Sequence, residues 1–290
     1  MTAVPAAVAG VPEIAITTPP NRETGLPPDA TLAACRIAGV SEVYAMGGAQ
    51  AVAALAYGTE SVPPVDKIVG PGNLYVNLAK RLVFGVVGID SLAGPSEVAV
   101  LADDHADPEG VAADIITQCE HDLNSSALLV ATSEGMVTAV LQAIERQLTD
   151  LPRATIVQTA LERNGFAVVA STLKEAIAVV ALYAPEHLHV DVRDPWAVLP
   201  QIRNAGAILL GAHSSAPIGD YMAGPSHTLP TAGCARFAAP LSVDDFVTKS
   251  SIVYVSQEVS KILSADAAIL AEFEGLEGHA RAARRVNTHS

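Results

Sequence analysis

The sequence predicts an α/β protein of the doubly wound type with a helical C-terminal tail. Three observations carry that prediction. Short apolar runs of strand length alternate with segments of helix length, glycine-bearing turns stand where strands hand over to helices, and the alternation stops after Pro240. At 290 residues the chain has room for two domains, or for one large domain with an appendage, and half of it is apolar, which suffices for a sizeable core.

The elements follow in order. Asp29 is expected to cap a helix that runs to about Ala38 and stops at Gly39. Ser41 to Met46 reads as a strand, and Gly47-Gly48-Ala49-Gln50 turns into an Ala-rich helix ending near Gly58. The next strand is Val65 to Val69. Gly70-Pro71-Gly72-Asn73 then leads into a helix from about Leu74 to Phe84, and such a turn lets backbone N–H groups and the helix dipole approach a phosphate. The third glycine of a dinucleotide fingerprint is missing, so on these residues alone a plain turn is the favoured reading.

Ala93-Gly94-Pro95-Ser96-Glu97 is a second turn before the strand Val98 to Leu101. Val111 to Glu120 contains no Gly or Pro and reads as a helix that places Gln118 and His121, three residues apart, on one face. An amide oxygen and an imidazole suit zinc, although a solvated helix end also explains the pair. Strands at Ala127 to Ala131, Ala154 to Gln158, Phe166 to Ala170, Leu188 to Val192 and Ala207 to Leu210 alternate with helices at Glu134 to Leu148, Leu173 to Tyr183 and a segment through Arg203.

Pro185-Glu186-His187 lies where a helix gives way to a strand, and a carboxylate beside an imidazole supplies two proton acceptors of different basicity. His189 alternates with His187 and reads as structural. Asp220, on the loop after the strand that ends at Gly211, is a potential hard oxygen ligand, because ligands in open α/β sheets gather beyond the carboxyl ends of strands. His227 is expected on the same loop. His105, His213 and His289 read as surface residues, and Glu274 and His279 fall in a terminal helical stretch from Val259 to Val286. That tail has little core of its own, so a partner subunit is the expected body for it to pack on.

Composition narrows the function classes. A net charge of -14, from 17 Lys and Arg against 31 Asp and Glu, argues against nucleic acid and against anionic membrane surfaces. Three widely spaced cysteines, Cys35, Cys119 and Cys234, fit reduced thiols and a cytoplasmic location. Met1 to Val11 lacks the basic start of a secretory signal and reads as domain interior.

Taken together, Gly47-Gly48-Ala49-Gln50, Gly70-Pro71-Gly72-Asn73, Ala93 to Glu97, Gln118-Cys119-Glu120-His121, Pro185-Glu186-His187-Leu188, Gly219-Asp220-Tyr221, His227 to Thr231 and the Glu274 to His279 tail resemble the histidinol dehydrogenase family, in the family's order and over almost the whole chain. The resemblance implies a homodimer that oxidises L-histidinol to L-histidine, the last step of histidine biosynthesis, with zinc and two NAD through an enzyme-held aldehyde. It implies zinc on Gln118, His121, Asp220 and His279, the last from the partner subunit. Glu186 and His187 match the catalytic pair. Ser96, His227 and Glu274 match substrate contacts, joined by Gln118, His121, His187, Asp220 and His279, while Gln50 and Asn73 match NAD contacts.

The implied architecture is two Rossmann-like doubly wound domains, one of them incomplete, over residues 1–96 (nucleotide binding) and 97–240 (metal and catalysis), with a dimerisation tail at 241–290. The chain is expected to begin inside the family's nucleotide-binding domain, and Ala216 stands where many members carry a glutamate. Two alternatives compete: a related zinc and NAD dehydrogenase of another small polyol, such as a sulfopropanediol, or a non-catalytic fragment.

Overall fold

The computed structural model describes residues 1–285 and contains two compact units, Met1–Val247 and Thr248–Ser290. The first unit opens with α1 (Ala3–Val8), β1 (Ala15–Thr17), α2 (Asp29–Ile37) and β2 (Glu42–Tyr44), with β1 and β2 parallel and Ile16 opposite Val43. Asp29 is the first helical residue of α2 and not its cap: it makes no capping hydrogen bond and contributes only a favourable charge to the first turn. The helix α3 (Gly48–Tyr57), β3 (Lys67–Ile68), α4 (Leu74–Val83) and β4 (Gly88–Ile89) follow, β3 and β4 again parallel. Val52, Leu55, Ile68, Ala79, Val83 and Val87 form the core between them.

Beyond this lies a five-stranded, wholly parallel sheet. Its elements are β5 (Glu97–Ala102), α5 (Pro108–Cys119), β6 (Ser126–Ala131), α6 (Glu134–Leu148), α7 (Ala154–Asn164), β7 (Gly165–Val169), α8 (Leu173–Tyr183), β8 (His187–Asp191), α9 (Pro195–Val198), β9 (Ala207–Leu210) and α10 (Ala216–Tyr221). The strand order is β7-β6-β5-β8-β9, so winding reverses between β5 and β8 and helices cover both faces. β5 reads as an unbroken apolar run because neither face meets water.

Two sequence expectations are corrected here. Ala154 to Gln158 is not a strand but the first part of α7. The β-branched run Thr155-Ile156-Val157 looks extended, yet Val157, Ala160 and Leu161 recur at helical spacing and pack on the α5 side of the sheet. Asp220 is not on a loop but inside α10, a six-residue helix that starts beside Pro217 and runs through Gly219.

The second unit consists of α11 (Gln257–Phe273) and α12 (Glu277–Arg285), separated by Gly275 in the left-handed region at φ +74°. Ala268, Ala271 and Ala280 are its only buried apolar residues among those described, while Ile262, Leu263, Ile269, Leu270 and Phe273 are exposed. Val286 and His289 lie outside the described residues. Among the described residues no helix is long and apolar enough to cross a membrane.

Candidate active site

The site is assembled from the start of β5, the α8-to-β8 turn, α10 and the loop after it. α8 closes at Ala184, a non-glycine residue held in the left-handed region at φ 52°, and Pro185 follows at once. That turn delivers Glu186 and then His187, the first residue of β8. The backbone N–H of Glu97 donates to Glu186 Oε2 at 3.0 Å, and the Glu186 carbonyl accepts from Ala207 at 2.7 Å. His187 Nε2 lies 3.3 Å from Asp220 Oδ1, and its Nδ1 stands 3.9 Å from Glu186 Oε2 with no hydrogen-bond partner.

This cluster sits at the amino-terminal ends of β5 and β8, not beyond the carboxyl ends that the general rule for open sheets suggested for Asp220. The reason is α10, which follows β9, packs against α5, and lays Gly219 over Leu209. Asp220 is thereby carried back to the level of His187. A cavity of about 410 Å³ opens between β9 and α10, lined by His187, Asp220, His213, Ser214, Ser226 and Leu229 among others. His213, read from the sequence as a surface residue, is exposed but borders this cavity.

Electrostatics separate the two members of the pair. Burial pushes the Glu186 carboxyl up to about 7, against the opposing pull of His187 and the Glu97 N–H. Burial would depress His187, but its hydrogen bond to Asp220 and the charges of Glu186 and Asp220 outweigh it and leave the imidazole more basic than usual. Burial lowers His227, whose Nδ1 has no partner. The turn into β8 thus carries a carboxyl raised to about 7 beside an imidazole made more basic than usual, a pair suited to proton exchange in water.

Gly206 guards this geometry. Its N–H donates to the Pro185 carbonyl, and a methyl group added there would stand 2.6 Å from the Glu186 carbonyl oxygen and 3.2 Å from the Pro230 ring. Neither neighbour can swing aside. Gly206→Ala is expected to cost about 1–3 kcal/mol in a urea unfolding experiment, by overpacking; an unchanged unfolding midpoint would contradict the close approach.

The histidinol dehydrogenase family's sequence profile matches residues 1–286. The chain belongs to the histidinol dehydrogenase family. It is 55% identical to the histidinol dehydrogenase of Moorella thermoacetica and 54% identical to that of Geobacillus kaustophilus, in each case over 97% of this chain and 66% of the relative. The crystal structure of histidinol dehydrogenase from Elizabethkingia anophelis superposes on it with a TM-score of 0.94 at 38% identity, covering 99% of this chain and 66% of that one. The chain therefore spans about two thirds of the length of these relatives.

The other positions that match histidinol dehydrogenase motifs are distributed as follows. Gln118 is buried in the last turn of α5 and its Nε2 has no partner. His121 does not share that burial: α5 ends at Cys119, so the turn beyond it leaves His121 exposed beside Arg153. Glu274 and His279 are exposed in the second unit. Among the described residues no three His, Cys, Asp or Glu side chains converge as a metal cage. Gln118, His121 and Asp220 supply amide oxygen, imidazole and carboxylate donors of a kind that fits zinc, but His121 borders a different hollow from the one that Asp220 lines, and the three would need at least one further ligand.

On the nucleotide side, Gln50 is exposed and folds over Gly48, and Asn73 caps α4 by accepting from Val76 at 3.1 Å. Ser96 is half-buried at the turn into β5. Sequence reasoning passed over Glu97, whose Oε1 accepts from Ala232 at 3.1 Å while Oε2 is buried without a partner. Nothing in its spacing marks it, because the first residue of a strand is an ordinary place for a carboxylate. His189, read as structural, pairs through Nδ1 with Asp114 Oδ2 at 2.8 Å.

Proposed function

We propose that this chain carries the oxidation of L-histidinol to L-histidine in two successive NAD-linked steps, the last reaction of histidine biosynthesis. The observation that carries the reading is the cluster of buried His187 with the half-buried Glu186 and Asp220 in a chain of this family. NAD, held at the turns that carry Gln50 and Asn73, would accept hydride from the substrate carbon in each step, and in the first step the hydroxyl gives its proton to His187. A neutral His187 that donates Nε2–H to Asp220 leaves Nδ1, the unpartnered nitrogen, as the proton acceptor. In the second step water adds to the aldehyde, its proton passing to Glu186, and His187, having released its first proton to solvent, takes the hydroxyl proton of the hydrate as that is oxidised. Each full turnover thus consumes one water and two NAD.

The chain's own residues supply the orientation. Glu97 N–H holds one oxygen of Glu186 and leaves the other to meet water. Zinc held by Gln118, His121, Asp220 and a partner's copy of His279 would act as a Lewis acid that orients the substrate's imidazole and amine. Ser96, His227 and Glu274 are the further substrate contacts in this reading, and Gln50 and Asn73 meet NAD at turns whose backbone suits a diphosphate. The exposed apolar residues of α11 support a homodimer in which the tail reaches a second copy. Such an enzyme is cytoplasmic.

The test is NADH formation by the purified, zinc-loaded chain on adding L-histidinol. The expected result is chelator-sensitive turnover with two NADH per substrate. Absence of histidinol-dependent NADH with zinc still bound would reject the reading.

A further inference from the structure

Glu97 touches both halves of the site. Its backbone N–H holds Glu186 Oε2, and its carboxylate Oε1 accepts the N–H of Ala232, in the loop that descends from His227. A second link lies alongside, where the N–H of Gly94 donates to Thr231 Oγ1. The same loop reaches the catalytic turn from its other side through Pro230, which packs against Gly206 beneath the Glu186 carbonyl. Thr228, Leu229 and Thr231 are buried in this arrangement, and Ala232 is held at φ 55°, a backbone state that an alanine adopts only when its surroundings impose it.

We infer that Glu97 is a positioning residue that sets the His227 loop and the Glu186 carboxylate against each other. The two hydrogen bonds leave from one residue, on the first position of a strand whose remaining residues are buried, so neither partner can shift without dragging the other. The loop faces the cavity that receives the substrate, through Ser226 and Leu229, while the nucleotide turns lie elsewhere in the unit. Loss of the Glu97 carboxylate therefore weakens use of the substrate and leaves use of NAD unchanged. This inference rests on the reading of the site as a histidinol-oxidising one.

Three variants separate the roles. Glu97→Gln keeps an acceptor at Oε1; Glu97→Ala removes it; Glu97→Asp keeps the charge but withdraws it by one methylene. Glu97→Ala and Glu97→Asp are expected to raise KM for L-histidinol about ten- to a hundred-fold, the worth of a hydrogen bond to a charged group, with KM for NAD unchanged. Glu97→Gln is expected to stay near the parent. Hydrogen exchange at the Ala232 amide supplies a readout that needs no catalysis: protection is lost in the Ala and Asp variants and kept in Gln. Unchanged protection and unchanged KM in both Ala and Asp, or equal failure of Gln and Ala, overturns the inference. A parent protein that oxidises no L-histidinol refutes the functional reading instead, and the exchange experiment still decides the role of Glu97.

Discussion

Glu186→Gln is expected to slow oxidation of supplied L-histidinal by about a hundred- to ten-thousand-fold, the range for loss of a general base, while the first oxidation of L-histidinol falls far less. The asymmetry follows from the assignment of protons: only the aldehyde step needs a base for water. Equal losses in the two half-reactions, followed separately by NADH formation from alcohol and from aldehyde, would end that division of labour. The same substitution has an opposite effect on stability. A carboxyl whose folded value is raised to about 7 stabilises the fold below its unfolded value, and that contribution is lost as pH rises through about 7. At pH 9 the ionised Glu186 of the parent costs the fold about 3 kcal/mol, which Gln avoids. The gap between the urea midpoints of variant and parent should therefore widen in the variant's favour from pH 5 to pH 9.

Lys80→Met is expected to cost about 3–5 kcal/mol of stability, the penalty for leaving a buried charge without its partner. Lys80 and Asp90 have side chains only 1% and 4% exposed, and they form an ion pair that also grips the backbone of one residue on both sides: Lys80 Nζ donates to the Gly70 carbonyl at 3.0 Å, and Gly70 N–H donates to Asp90 Oδ2 at 2.7 Å. Gly70 stands at φ +114°, and Asn77 fastens the following residues through the Gly72 carbonyl. The turn that faces NAD in the proposed reaction is thus fixed by a buried pair. Adding Asp90→Asn to Lys80→Met should recover a large part of the stability, since the orphaned charge is gone. Neither change should alter KM for L-histidinol as much as KM for NAD. A Lys80→Met protein with the parent's unfolding midpoint would show that the pair carries no such burden.

The five-stranded sheet was legible wherever apolar runs were long. β5, β6 and β9, and helices α6 and α8, fall at or within one residue of their sequence-read limits, because continuous burial leaves continuous hydrophobicity. The failures have local causes. α7 hides behind three β-branched residues at its start, and α1 and β1 are too short, at six and three residues, to show a period. α10 contains Pro217 and Gly219, which read as loop although they sit in a single turn and a half of helix.

The neighbouring Glu186 and His187 were visible in the sequence, but their surroundings were not. Periodicity placed Gln118 and His121 on one helical face, whereas the end of α5 at Cys119 buries one and exposes the other. The joining of Glu97 to Ala232, and of His187 to Asp220, depends on contacts between residues 135 and 33 positions apart, which no local pattern encodes.

β8 pairs with β5 so that His187, His189 and Asp191 face α5 while Leu188 and Val190 enter the apolar cluster under α8. A slip of this strand by one residue exchanges the two sets. Both imidazoles and a carboxylate would then lie among Leu101, Val130 and Ile177, each polar group costing about 2 kcal/mol or more without a partner. The polar side chains of β8 thus penalise misalignment while the sheet forms. Substitutions that make β8 more uniformly apolar are therefore expected to fold with less faithful alignment.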